Sequence, residues 1–220
     1  ACEQMEQAGA QPPISALLYG LLGEVCYQWC QIETARRYGQ RALKLSTLGG
    51  YNTGAIMCRV FLSRLAQLEG DLEAAARQIR EAASLAPAQV PDYVAREVVA
   101  QQVRVHLARN RLDAAQMALQ GFEFAASTPS AYHADSAGQR LCYSEGLLQN
   151  SALWLRLRQA QASRNRDDLQ AAVELAGRSI DAALQAQCVT VGLEGHILRA
   201  RMHAGLDEYA ASLDDYLHAL

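Results

Sequence analysis

Residues 62–82 read LSRLAQLEGDLEAAARQIREA. An apolar-small pair, Leu62-Ser63, opens the stretch. Small residues, Ala75 and Ala82, stand twelve and nineteen positions after Ser63, and Pro87 follows. Between them Gly70-Asp71 divides two helical patterns, and Asp71 has the side chain to cap the second. One such unit cannot cover its own apolar faces, so the pattern has meaning only if it recurs. It does. Similar segments are QIETARRYGQRAL from Gln31, NRLDAAQMALQGF from Asn110 and RDDLQAAVELAGRSI from Arg166, with a looser match, LDEYAASLDDYLHAL, from Leu206. Their small residues align as Ala35, Ala75, Ala115, Ala172 and Ser212, in steps of 40, 40, 57 and 40 residues. A period near 40 with two helical patterns per unit predicts stacked helical hairpins.

The first helix of each unit is expected near 14–29, 53–68, 93–108, 146–163 and 190–204. The second is expected near 32–47, 72–85, 112–121, 167–186 and 207–220. Gly49-Gly50, Gly70-Asp71, the segment from Pro87 to Pro91, and Gly205 fall between them. Residues 1–13 read as an N-terminal extension. The 57-residue step leaves 17 extra residues between Gly121 and Gly146. Ser, Thr, Pro and Gly there mark 122–145 as an inserted loop, either functional or disordered. The whole chain, 1–220, is expected to form a single all-α domain: a right-handed superhelix, or α-solenoid, of about five hairpins.

Composition agrees. Ala and Leu supply 70 of 220 residues against 5 Pro, which favours helix over strand. Half the residues are hydrophobic, enough for a packed core. No apolar run approaches the roughly 20 residues of a membrane-spanning helix, so no membrane contact is expected. The net charge of −3 argues against a free-standing nucleic-acid binder. The six cysteines are irregularly spaced and no signal-peptide pattern opens the chain, which predicts a cytoplasmic protein with reduced thiols. The chain begins at Ala1 and stops at Leu220 within a helical pattern, as an excised piece of a longer protein would. Lys44 is the sole lysine beside 19 arginines, a bias attributed to a GC-rich genome.

These residues resemble a tetratricopeptide repeat. Leu22-Gly23, Ala35 and Ala42 carry the signature in the first unit, and Leu62-Ser63, Ala75, Ala82 and Pro87 in the second. In the third, Val103 and Phe122 occupy small-residue positions. The period exceeds the usual 34 and is similar to the longer variety in the MalT-like region of large bacterial LuxR-type transcriptional activators. GLLGEVCYQWCQIETARRYGQRALKLSTLGG resembles that region's opening hairpin, with Tyr27 and Trp29 ending the first helix. YSEGLLQNSALWLRLRQAQASRNRDDLQAAVELAGRSIDAA resembles a long later unit, and ILRARMHAGLDEYAASLDDYLHAL the last. The resemblance implies a sensor region between a nucleotide-binding switch ATPase and a helix-turn-helix. Such a region binds a small-molecule inducer or a regulatory protein, and self-association is a further expectation. No G-x-x-x-x-G-K-[ST] motif occurs in these 220 residues, nor a basic reading helix, so no direct nucleic-acid contact and no cofactor are expected.

No catalytic set is apparent, so the chain is not expected to be an enzyme. Cys26 and Cys30, four apart on one helix, read as core rather than metal ligands. His196 and His203 stand two turns apart, too far to share one metal, and read with His218 as packing or surface residues. Asp214-Asp215 and Arg166-Asp167-Asp168 read as solvated faces and helix starts. The first helices of tetratricopeptide units line a concave face. In that phase it holds Glu24, Tyr27, Met57, Arg64, Gln67, Glu97, Arg104, Trp154, Leu157, Gln161, Glu194 and Arg201. Arg64, Arg104 and Arg201 are expected to contact ligand, with Tyr27 and Trp154 as apolar anchors. Ion pairs between neighbouring repeats are the other use of such charges. A scaffold that binds a partner's peptide, without any inducer, is the alternative function.

Overall fold

Seven times among the described residues a helix ends in the same corner. The residues at the corners are Cys30, Gly50, Gly70, Asn110, Arg164, Gln187 and Asp207, each with φ between 54° and 81°. The next residue's N–H turns back to a carbonyl five positions earlier: Gln31 to Cys26, Tyr51 to Ser46, Asp71 to Ala66, Arg111 to His106, Asn165 to Ala160, Cys188 to Ala183 and Glu208 to His203, at 2.8–3.2 Å. This closure satisfies carbonyls that a helix end leaves open, and the left-handed residue reverses the chain. Glycine takes that conformation freely at Gly50 and Gly70. Asn110 and Asp207 are of the types that tolerate it, whereas Cys30, Arg164 and Gln187 take it against their intrinsic preference.

The computed structural model describes residues 13–85, 90–120 and 136–220. Among them are ten helices: α1 (Pro13–Gln28), α2 (Ile32–Leu48), α3 (Asn52–Leu68), α4 (Leu72–Leu85), α5 (Asp92–Ala108), α6 (Leu112–Leu119), α7 (Ser136–Ser163), α8 (Arg166–Gln185), α9 (Val189–Gly205) and α10 (Tyr209–His218). No strand occurs among the described residues. The fold is an all-α, tetratricopeptide-like array of helical hairpins. No described helix is long and apolar enough to cross a membrane.

Helix starts follow local chemistry. Asp71 Oδ1 accepts from Ala74 N–H at 2.9 Å, capping α4. Asn165 Oδ1 accepts from Asp167 and Asp168 N–H at 3.0 and 3.3 Å, and those two aspartates sit where α8's dipole favours negative charge. The aligned small residues mark where paired helices touch. Ala35, Ala75, Ala115 and Ala172 are wholly buried, and Ser212 nearly so. Ser63 of α3 donates to the Ala75 carbonyl of α4 at 2.9 Å, a bond only a close crossing permits.

The chain falls into two compact units, Ala1–Gln101 and Gln102–Leu220, where the sequence suggested one domain. The boundary lies inside α5. In the first unit, Phe61 of α3 enters a notch between Gly23 of α1 and Gly39 of α2. A Cβ at Gly23 would lie 3.1 Å from the ring, and one at Gly39 2.9 Å. Around it pack Cys26, Ala35, Leu62 and Leu65, while Ala16, Tyr19, Ala42, Leu45 and Cys58 form a neighbouring cluster. In the second unit, Leu153, Leu157 and Ala160 of α7, Leu169, Ala172, Val173 and Ala176 of α8, and Leu198 and Met202 of α9 form one core with Leu206.

Several sequence expectations are corrected. Helix α7 begins at Ser136, ten residues before the expected start, so 136–145 of the expected loop is helical; 122–135 lies outside the described residues. The expected extension, 1–12, and residues 86–89 also lie outside them, while Pro13 opens α1. Gly205 ends α9 and does not form its turn, which Asp207 makes. Cys30 shares no helix with Cys26, because α1 stops at Gln28 and Cys30 takes the left-handed corner. Leu157 is fully buried in the second core and belongs to no open face.

Two substitutions test this framework. Gly70→Ala places a methyl in open space at φ 81°, so only backbone strain opposes it, and it is expected to cost about 1 kcal/mol in urea unfolding. Gly23→Leu overfills the notch beneath Phe61 and is expected to cost about 1–3 kcal/mol. An unchanged Gly23→Leu midpoint contradicts the helix crossing.

Candidate functional site

Charged residues on the first helices of neighbouring hairpins face one another because those helices lie side by side, one repeat apart. In the first unit, Arg64 of α3 donates from Nη1 to Glu24 Oε1 of α1 at 2.9 Å, exactly the pairing a 40-residue offset produces. Its guanidinium also lies 5.0 Å from the centroid of the Tyr27 ring and 6.0 Å from that of Phe61. Tyr27 meets Phe61 edge-on at 6.1 Å. The aromatic faces and the carboxylate together hold the cation in place. Beside it, Gln101 of α5 donates to Gln67 Oε1 at 3.0 Å and to Ser63 Oγ at 3.2 Å. Glu97 is half-buried on the same helix. Sequence reasoning missed Gln101, although its place one period after Phe61 is a visible signal: a polar side chain stands where the preceding unit has an aromatic.

In the second unit, Arg104 of α5 donates from Nη2 to Glu194 Oε2 of α9 at 2.8 Å and from Nε to Ser151 Oγ of α7 at 3.0 Å. Asn150, fully buried, donates from Nδ2 to the same Glu194 oxygen at 3.1 Å and to the Val191 carbonyl at 3.0 Å. Three helices thus meet at one carboxylate. Asn150 and Ser151 were not anticipated, since nothing in QNSAL distinguishes a buried amide from a solvated one. Farther along, Arg201 of α9 lies over the Trp154 ring of α7, 4.6 Å from its centroid. Arg201 is exposed and makes no ion pair among the described residues. Gln161 is exposed near the end of α7.

The structure therefore brings Glu24, Tyr27, Arg64 and Gln67 into one patch, and Arg104, Glu194, Trp154 and Arg201 onto adjoining helices of the second unit. Arg64 and Arg104 each hold an internal carboxylate, whereas Arg201 holds only an aromatic face.

The last hairpin contains a different cluster. Asp215 of α10, expected on a solvated face, is 2% exposed. Arg199 of α9 grips both its oxygens, with Nη2 to Oδ1 at 2.6 Å and Nε to Oδ2 at 2.9 Å. His196 Nδ1 is 2.9 Å from Oδ1. His203 bonds Glu208 at 2.6 Å, and its Nε2 lies 3.8 Å from Asp215 Oδ2. His218 stacks on His196, centroids 5.4 Å apart. Burial alone would raise the Asp215 pKa, but the hydrogen bonds from Arg199 and His196 outweigh it and hold the carboxyl below its usual range. The three histidines serve this carboxylate and one another. Among the described residues no group of three or more His, Cys, Asp or Glu is placed to hold a metal. Burial pushes the Cys58 thiol up to about 11, which keeps it protonated at neutral pH.

The family described as the MalT-like TPR region matches residues 3–144. No curated protein matches the chain.

The buried carboxylate gives a signed pH dependence. Because the folded pKa of Asp215 lies below the unfolded one, its contribution is present above the unfolded value, about 3.9, and fades as pH falls through the folded value. Asp215→Asn leaves Arg199 without its anion and is expected to cost about 3 kcal/mol at pH 7. Urea titrations of both proteins at pH 7 and pH 3 should show that gap narrowing in acid.

Proposed function

The chain belongs to the MalT-like TPR region family, and on that premise we propose that it is the sensor and interaction region of a LuxR-type bacterial transcriptional activator. It works in the cytoplasm and binds a small-molecule inducer or a regulatory protein on the first-helix face of its hairpins. The observation that carries this reading is Arg201. Its guanidinium is exposed, stacked on Trp154 and not committed to a carboxylate among the described residues. Such a group is oriented by the ring and still free to take a ligand's carboxylate, phosphate or hydroxyl oxygens. Arg64 on Tyr27 repeats the arrangement in the first unit, with Glu24 as a competing anion that a ligand displaces or joins.

The mechanism proposed is a population shift. A ligand that binds one arrangement of the hairpins better than another moves the equilibrium between them, and a flanking switch ATPase reads the result. Equal affinity for both arrangements would transmit nothing, however tight the binding. This region itself performs no catalysis and needs no cofactor or metal. A scaffold that binds a partner's peptide on the same face is the competing function, and the same test separates the two.

That test is a thermal-shift screen of the chain against sugars, organic acids, aromatics and hydrocarbons. A true ligand at about 100 times its Kd is expected to add roughly 2.7 kcal/mol of stability. Arg201→Ala should leave the ligand-free Tm unchanged while weakening that ligand about tenfold, the scale of one charge-assisted hydrogen bond. A blank screen together with a partner peptide captured in an Arg201-dependent way would favour the scaffold.

A further inference from the structure

Helix α3 presents a second face. Arg64 and Gln67 lie on the side described above. Arg59, Leu62 and Ala66 fall within an arc of roughly 60° on the other side, at about 100° per residue. There α2 and α4 diverge over α3 and leave a cleft of about 520 Å³, wholly within the first unit. Leu62 and Leu65 belong to its apolar lining, while Arg36, Gln40, Lys44 and Arg59 supply polar groups. That volume and mixture suit a small ligand with an apolar body and a polar end.

The charges define the polar end. Arg36 pairs with Glu69, and at 3.8 Å with the solvated Glu33. Arg59 pairs with Glu81 and donates from Nη1 to Gln78 at 3.1 Å. None of these three glutamates lines the cleft. Lys44, the only lysine in the chain, is exposed at the cleft and has no ion pair or hydrogen bond among the described residues. The Arg59 Nε is buried without an acceptor and faces away from bulk solvent. Each arginine already has a carboxylate, Arg36 two of them, and Lys44 is the one charge of the lining without a counter-ion among the described residues. That charge suits a monoanion; a phosphate monoester would bring a second negative charge that these walls do not balance.

We propose that this cleft between α2, α3 and α4 is a binding site for a small monocarboxylate with an aromatic or branched apolar body, its carboxylate held by Lys44. Leu43 and Leu48, the partly buried and the exposed leucine of the lining, take the body of the ligand. Gln40 lies one helical turn before Lys44 on α2 and offers an amide to the same carboxylate. The site is separate from the first-helix face and goes beyond the function proposed for it.

The sole lysine makes the test specific. Amine acetylation with an N-hydroxysuccinimide ester can modify only Lys44 and the chain's N-terminal amine, and mass spectrometry separates the two. The probes are 4-phenylbutyrate, 4-phenylbutylamine and acetate. Phenylbutyrate is expected to raise the Tm saturably and, at saturation, to slow Lys44 acetylation about tenfold while the N-terminal amine reacts as before. Lys44→Glu should weaken phenylbutyrate at least about tenfold, and Lys44→Arg should retain it. Both variants alter an exposed side chain without partners, so their ligand-free Tm should match that of the parent.

The proposal is overturned if phenylbutyrate neither shifts the Tm nor protects Lys44. It is equally overturned if the amine or acetate does as well as phenylbutyrate, since the first indicates an apolar patch indifferent to charge and the second an ion alone. Arg201→Ala separates this site from the first-helix face. Phenylbutyrate binding should survive that substitution, and its loss there would place the acid on the other face and refute the cleft.

Discussion

The distance of closest approach between paired helices is the constraint on which the rest of this structure depends. Ala35, Ala75, Ala115, Ala172 and Ser212 set it by having almost no side chain at the crossing. Where the helices come that close, a hydroxyl on one reaches a carbonyl on the other, as Ser63 reaches Ala75. The saved space is then filled from the next hairpin, as when the Phe61 ring enters the notch between Gly23 and Gly39. A larger side chain at any of these positions would separate not one contact but the hairpin and the neighbour that caps it.

Close crossing has an electrostatic consequence. Equivalent helices of successive units run near enough for side chains one period apart to meet, so Arg64 finds Glu24. In the second unit the partners of Arg104, Glu194 and Ser151, come from two other helices. Half-buried pairs of this kind contribute little net stability when solvated but become costly to break singly once enclosed. Asp215 is the enclosed extreme. It stays ionised because Arg199 and His196 supply hydrogen bonds that exceed the cost of its burial. Arg201 and Lys44 stand at the opposite limit, as cations for which the described residues provide no anion. At those two positions, on different units, an external anion meets a cation with no internal competitor.

The repeat and its period were legible because helix packing imposes a small residue at every crossing, and the chain displays that residue at nearly constant spacing. The five hairpins, the cap at Asp71 and the Arg64 row followed from it. Other features were not legible. Cys30, Arg164 and Gln187 carry no turn signature, yet each adopts the left-handed corner. Their conformation comes from the returning N–H bond and the packing of the helices on either side, which override a local preference of about 1 kcal/mol. The early start of α7 at Ser136 was hidden for a similar reason, since its Ser- and Gly-containing opening reads as loop.

The sequence by itself determined the fold class, the order of the helices and which positions lie at their crossings, because each follows from periodicity along one chain. Only the tertiary structure decided which charges are already satisfied. Asp214 and Asp215 are neighbours of identical type, but one is solvated and the other sits beneath Arg199. Arg64 and Arg201 share a repeat phase, but one meets a carboxylate and the other only a ring. Whether a charge has a partner depends on distances between helices far apart in sequence. Those distances are set by how whole hairpins stack, a quantity that no local pattern of residues contains.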